Sequence, residues 1–243
     1  VKDHHNLGVV GLKTIIQKSS NVGAARIALQ LPRERLHGYL DKLGFGHETG
    51  SGYPGEVGGR LRPAKRWAKI DQATLAYGYG ISVTTLQLAQ AYAVLAADGM
   101  RRPVSLLRRD QVPAGRRVFE VSVARTVRHM MESVVAEGGT ATRAAVPGYR
   151  VAGKTGTVKK AGKGGYQEGR YVSLFAGIAP ASSPRLVTVV MIDEPRGKKY
   201  YGGQVAAPVF ARIMDDALRL LNVPPDALQP RQAVRLAKLE QER

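Results

Sequence analysis

Cysteine is missing from this chain altogether, which excludes disulfides, thiol nucleophiles and thiolate metal sites. The absence permits an oxidising compartment without requiring one. No run approaches the ~18–20 apolar residues of a membrane span, and no basic-then-apolar leader opens the chain. Val1 is not an initiating methionine, which leaves room for a targeting segment upstream. His4, His5, His37, His47 and His129 lack the spacing with carboxylates that a metal centre needs. No metal and no cofactor is expected. Acidic residues are scarce: 19 stand against 37 basic ones, for a net charge of +18. Such an excess raises nucleic acid or an anionic surface as a partner. The arginines scatter, however, and short clusters such as Arg108-Arg109 and Lys159-Lys160 are not interleaved with base-stacking aromatics. Nucleic acid is therefore not the expected partner, and an envelope rich in anionic lipid and polymer suits the charge equally well.

The 243 residues suffice for one sizeable core. From Gly8 to Leu31 the apolar spacing predicts helix, break, helix, with polar Gln17 to Asn21 as the break. Ser20 or Asn21 can cap the second helix. Pro32 begins another short helix through Leu43, and a glycine- and proline-rich surface loop runs from Gly44 to Arg66. Thr84 and Gln87 form a capping-box pattern that opens a helix through Ala97. A further helix is predicted over Ser122–Glu137. After Pro147 the texture changes to strands at Tyr149–Val158, Val172–Ala179 and Leu186–Ile192, with a flexible loop at Gly162–Gly165. A last helix is predicted from Ala207 to Leu221. Helices, then consecutive strands, then a helix predict an α+β fold with an antiparallel sheet and a helical lobe. The domain is expected to span residues 1–222, with 223–243 as a polar tail.

Two short motifs carry chemistry: Ser19-Ser20-Asn21 near the start and Lys154-Thr155-Gly156-Thr157 far downstream. Lys-Thr-Gly alone arises by chance in roughly 3% of chains this long, and Ser-x-Asn alone is close to worthless. Their context matters more. The tetrad falls on a predicted strand, where Thr155 and Thr157 project to one face. Gly156 leaves the backbone between them bare, so a ligand can lie alongside as an added strand. Lys154 supplies a fixed cation for a carboxylate. Gly148 to Thr155 also matches the phosphate-binding loop Gly-x4-Gly-Lys-Thr. That loop needs a buried strand before its first glycine and a helix straight after its threonine, and neither is predicted, which leaves the NTPase a remote alternative. The paired tyrosines Tyr77/Tyr79 and Tyr200/Tyr201 sit in glycine-rich turns, as packing or as a ligand-lining wall.

With these motifs, the chain resembles the class B penicillin-binding proteins, specifically the division-associated peptidoglycan D,D-transpeptidases of Gram-negative bacteria. The fold implied is that of penicillin-binding proteins and serine β-lactamases. The likeness runs from about Gly8 to Pro225 and is carried by Lys18 to Gly23, Leu75 to Gly80, Ala152 to Thr157, Ser173 to Gly177 and Tyr201 to Phe210. It implies that a serine attacks the penultimate D-Ala carbonyl of a stem peptide, releases D-Ala, and passes the acyl group to an amine on a neighbouring strand. β-Lactam antibiotics mimic the donor. By the resemblance, Ser19 bridges protons to the leaving nitrogen, Asn21 holds the substrate amide, and Lys154 sets the positive field. Thr155 and Thr157, with Gly156 between, grip the terminal carboxylate, and the Thr157 N–H serves as an oxyanion donor. Tyr79, Tyr171 and Tyr201 line the side-chain pocket.

One motif of the superfamily is absent: no serine here has a lysine three places later. The expectation is that the N-terminal part of the same protein supplies this nucleophile, and that a membrane anchor also precedes Val1. Location on the periplasmic face of the inner membrane follows from the resemblance. So do division-complex membrane partners that include a lipid II polymerase. The alternatives are a β-lactamase or D,D-carboxypeptidase, in which water replaces the amine, and a non-catalytic β-lactam sensor. The long interval between Ser19 and Lys154 favours the transpeptidase.

Overall fold

A computed structural model describes residues 1–3, 5–162 and 165–227 of the chain. Three short helices open it: α1 (Leu12–Lys18), α2 (Asn21–Leu29) and α3 (Arg33–Leu43). α4 (Lys69–Leu75) follows the long loop, and its first turn is held by the Asp71 carboxylate accepting the Ala68 N–H at 2.8 Å. α5 (Thr85–Ala96) opens on the reciprocal capping box between Thr84 and Gln87 that the sequence predicts. A two-residue hairpin, β1 (Met100–Arg101) with β2 (Arg116–Arg117), leads to α6 (Val121–Glu132).

α6 ends five residues before the predicted stop, because Val134 and Val135 turn in through i→i+3 bonds to Met131 and Glu132. The turn carries Val134 into the core, where it is fully buried.

The main sheet is antiparallel, in the order β3 (Ala152–Gly162), β4 (Gly165–Ala179), β5 (Leu186–Asp193). The hairpin is longer than predicted: Ala161 pairs with Tyr166 and Gly162 with Gly165, so both ends of the expected loop are strand, and its residues 163 and 164 lie outside the described residues. Cross-strand pairing reaches as far as these two glycines because each strand has a partner to satisfy its backbone. A register shift falls between Lys159 and Ala161. α7 (Gly202–Val205) and α8 (Ala207–Leu220) are the last helices among the described residues.

Strand periodicity divides the side chains between two layers. On one face Phe175 meets Phe210 of α8 edge-on at 4.7 Å, and Val190, Met214 and Leu218 complete that core. On the other, Ala152 packs with Met131 of α6, Tyr92 and Leu95 of α5, and Ile16 of α1. Glycine is needed where β3 and β4 face α8, since a Cβ on Gly177 would stand 2.7 Å from the Phe210 ring. The domain reaches a little past residue 222: Tyr149 Oη donates to the Val223 carbonyl at 2.6 Å, and the Asp226 carboxylate accepts the Arg150 N–H at 2.6 Å. The rest of the expected tail, from 228 on, lies outside the described residues. Among those residues no helix is long and apolar enough to cross a membrane.

Candidate active site

The polar break after α1 is a tight corner. Ser19 terminates α1 in the left-handed region (φ 56°, ψ 48°), a conformation that non-glycine residues seldom adopt. Ser20 then caps α2, its Oγ accepting the Gly23 N–H at 2.9 Å. The corner closes tightly because residue 23 has no side chain, as a Cβ there would stand 2.7 Å from Ile15 Cγ1. The result leaves Ser19 exposed, Ser20 buried, and Asn21 half-buried as the first residue of α2. No hydrogen bond engages the Asn21 side chain among the described residues.

Lys154 lies on the face of β3 that α1 and α6 cover, as the alternation from Ala152 requires. Its Nζ donates to Ser19 Oγ at 2.8 Å and to the Thr155 carbonyl at 3.1 Å. The two motifs therefore meet through a hydrogen bond. Lys154 is half-buried by area, but its ammonium is closely surrounded, and this desolvation pulls its pKa down to about 8. At neutral pH the group still carries its proton.

Thr155 and Thr157 project to the opposite face of β3. Thr155 Oγ1 shares a hydrogen bond with Thr140 Oγ1 at 3.0 Å, and Thr157 Oγ1 accepts the Gly202 N–H at 3.0 Å. Two glycines let α7 come this close. A Cβ on Gly202 would lie 2.2 Å from the Leu174 carbonyl oxygen, and one on Gly203 would lie 2.0 Å from that of Thr140. A hydroxyl has one hydrogen to give and two lone pairs to offer. With the Gly202 N–H on a lone pair, the Thr157 hydrogen is left to donate, which suits an anionic ligand. Among the described residues β3 is one of the two edge strands of its sheet, so its outer backbone is open to an added strand.

The tyrosines form two clusters rather than one wall. Tyr171 stacks on Tyr200 at 4.0 Å, and Tyr200 leans on Tyr201 at 4.5 Å, directly before the Gly202 that holds Thr157. Tyr79 sits elsewhere, edge-on to Tyr77 and to Tyr166 near the hairpin tip, with centroids 5.8 and 5.6 Å away. The lengthened hairpin explains the separation: Tyr166 pairs with Ala161, beyond the register shift, whereas Tyr171 pairs with Lys159. Sequence reasoning passes over Thr140, Gly202 and the role of Tyr200 as the middle ring. The doublets Gly138-Gly139 and Gly202-Gly203 are the available signals. Two shallow hollows, of ≈ 460 and ≈ 500 Å³, are lined by other residues, and neither includes Ser19 or Lys154.

The nucleotide-loop alternative fails on geometry. Gly148 sits in a turn closed by the Val146–Tyr149 bridge, and the chain after Thr155 continues as strand to Gly162. No helix follows Thr155 directly, as that loop would require.

Residues 1–215 match the family described as the penicillin binding protein transpeptidase domain. The chain belongs to this family. It is 46% identical over 228 residues to the peptidoglycan D,D-transpeptidase FtsI of Escherichia coli K12, covering 94% of this chain and 39% of that protein. It is 43% identical over 225 residues to the probable peptidoglycan D,D-transpeptidase PenA of Neisseria meningitidis serogroup A, again over 93% of this chain and 39% of the relative. The chain thus spans about two-fifths of the length of these curated relatives. Among solved structures, the transpeptidase domain of penicillin-binding protein 3 from Burkholderia pseudomallei superposes with a TM-score of 0.89 at 46% identity. That match covers 93% of this chain and 69% of that one. The penicillin-binding fold, with helices on both faces of an antiparallel sheet, is the one described above.

Proposed function

We propose that this chain is the greater part of a peptidoglycan D,D-transpeptidase domain, acting through an acyl-serine intermediate and open to acylation by β-lactams. The observation that carries the reading is the 2.8 Å hydrogen bond from Lys154 Nζ to Ser19 Oγ, which joins the two motifs in one site. Membership of the transpeptidase family and the names of its relatives support it.

In this reading a serine from residues outside the chain attacks the penultimate D-Ala carbonyl. An Oγ–C bond forms, the C–N bond breaks, and D-Ala departs with a proton delivered to its nitrogen. Ser19 relays that proton, with the Lys154 ammonium holding its oxygen and fixing the direction of transfer. Asn21, uncommitted among the described residues, binds the substrate amide. Thr155 and Thr157 donate to the terminal carboxylate beside Gly156, and the Thr157 N–H steadies the oxyanion; one such donor is worth about 10²–10³ in rate. Tyr171 and Tyr201 face the substrate side chain, and Tyr79 contributes from the hairpin tip. An amine of a second stem peptide then attacks the ester and restores the serine. Such chemistry belongs on the periplasmic face of the inner membrane, with an anchor outside this chain. Septal synthesis places it beside division-complex membrane proteins that include a lipid II polymerase.

The test is labelling with a fluorescent penicillin. A protein that joins this chain to its Ser-x-x-Lys segment is expected to label, and the 243-residue chain alone is expected not to. Labelling of the short chain at an equal rate would refute the external nucleophile.

A further inference from the structure

The corner that presents Ser19 and Asn21 is not held by its own residues alone. A left-handed non-glycine residue costs of order 1–3 kcal/mol and persists only where its surroundings over-determine it. Ser19 is such a residue, and it is exposed. The end of α1 supplies part of the restraint, the Ser19 and Ser20 N–H groups donating to the Ile16 and Ile15 carbonyls, and Asp3, seventeen positions before Ser20 in the chain, supplies more. Its Oδ2 accepts the Ser20 hydroxyl at 2.5 Å, and its Oδ1 accepts the Val22 backbone N–H at 3.1 Å.

The two carboxylate oxygens therefore bracket Asn21, gripping the residue before it and the residue after it. Ser20 Oγ works in both directions, giving its hydrogen to Asp3 and taking that of Gly23 N. One rotamer satisfies both, so the Ser20 side chain, only 6% exposed, is locked. Negative charge at this end of α2 is also favoured by the helix dipole. With Ser20 and Val22 pinned, the corner holds Ser19 beside β3, where Lys154 Nζ donates to its Oγ.

We propose that Asp3 is a positioning residue for the proton relay: it fixes the Ser19–Asn21 corner in the geometry that the acylation step needs. The inference rests on the transpeptidase reading above. Asp3 touches neither substrate nor nucleophile in this account. Its effect passes through Ser20 and Val22 to their neighbours.

The experiment uses the full-length protein carrying its serine, with stopped-flow acylation by a chromogenic cephalosporin and thermal unfolding measured in parallel. Asp3→Asn keeps the shape but weakens acceptance from Ser20 and Val22, and Asp3→Ala removes it. A relay misplaced by a fraction of an ångström to 1 Å loses up to about 10²-fold in rate. Asp3→Ala is therefore expected to lower the maximal acylation rate about 10- to 100-fold, with Asp3→Asn between it and wild type. The pre-covalent dissociation constant should change less than threefold. Ser20→Ala combined with Asp3→Asn should lose less than the product of the two single losses, because the two residues share one hydrogen bond. If Asp3→Asn lowers the melting temperature while its maximal acylation rate below the transition stays at the wild-type value, Asp3 is only a helix cap and the proposal is overturned. If the wild-type protein itself is not acylated, the functional reading falls, and this inference with it.

Discussion

The Thr157 hydroxyl oxygen and the Gly202 backbone N–H are 3.0 Å apart, although forty-five positions separate them in the chain. This contact ties the edge strand to the start of α7 and decides which way the hydroxyl hydrogen points.

Replacing Thr157 by valine keeps the shape and removes the hydroxyl, leaving the Gly202 N–H without its acceptor. A hydrogen bond to a charged group is worth about 1.5–3 kcal/mol, so acylation by a penicillin with a free carboxylate should fall about 10- to 100-fold. Thr157→Ser should restore most of it. The methyl ester of the same penicillin, which has no carboxylate to grip, should respond far less to Thr157→Val. Second-order labelling rates of the full protein with both compounds check this.

Lys154 gives a pH prediction. Burial lowers its pKa from 10.5 to about 8, so the folded state surrenders the proton before the unfolded chain does. If the ammonium holds Ser19 during catalysis, acylation should decline above an apparent pKa near 8. The linkage sign follows: between these two values the unfolded state binds more protons, so this residue's contribution to stability rises with pH there. Lys154→Met should abolish both effects. Acylation rate and urea midpoint, each followed from pH 7 to 10.5, measure them.

A methyl group at residue 203 would meet the Thr140 carbonyl oxygen at 2.0 Å, and backbone cannot step aside as a flexible side chain can. Gly203→Ala should push α7 from β3 and destabilise by about 1–3 kcal/mol. In a domain of this size that lowers the melting temperature by about 2–4 °C per kcal/mol. Penicillin labelling should fall as well, because the displaced helix carries the Gly202 N–H away from Thr157.

Phe210 is fully buried, with its ring against Phe175. Phe210→Ala should cost about 3–5 kcal/mol through lost burial and the cavity left behind. Urea unfolding should show an earlier midpoint with an unchanged slope. Any loss of labelling should track the fraction unfolded, since the Phe210 ring packs on Phe175 and Gly177 of β4.

The parts of this site that the sequence discloses are those written in consecutive residues. Ser19-x-Asn21 and Lys154 to Thr157 are each local, and the helix caps and strand periods place them on the correct elements. Their partners are not local. Asp3 reaches Ser20 across seventeen positions, and Thr140 reaches Thr155 across fifteen. An isolated aspartate or threonine carries no pattern that marks it for such a contact. Tyr79 shows the converse. It belongs to a recognisable Tyr-Gly-Tyr-Gly turn, yet its distance from Tyr201 depends on how far the hairpin extends, which the glycines at 162 and 165 obscured. α6 also ends early for a tertiary reason, as Val134 is worth more in the core than in another helical turn.

The open rim of β3 has a second consequence, for behaviour in crowded solution. Unpaired backbone that welcomes a peptide will also welcome a sister molecule, and long flat rims seed aggregation. Here the rim is interrupted: the register slips between Lys159 and Ala161, where Lys159 is paired with Glu168 and Lys160 with Asp193 and Glu194. The slip shortens the flat run of unpaired backbone, and the charged pairs beside it put ionic side chains next to a rim that would otherwise invite a sister strand.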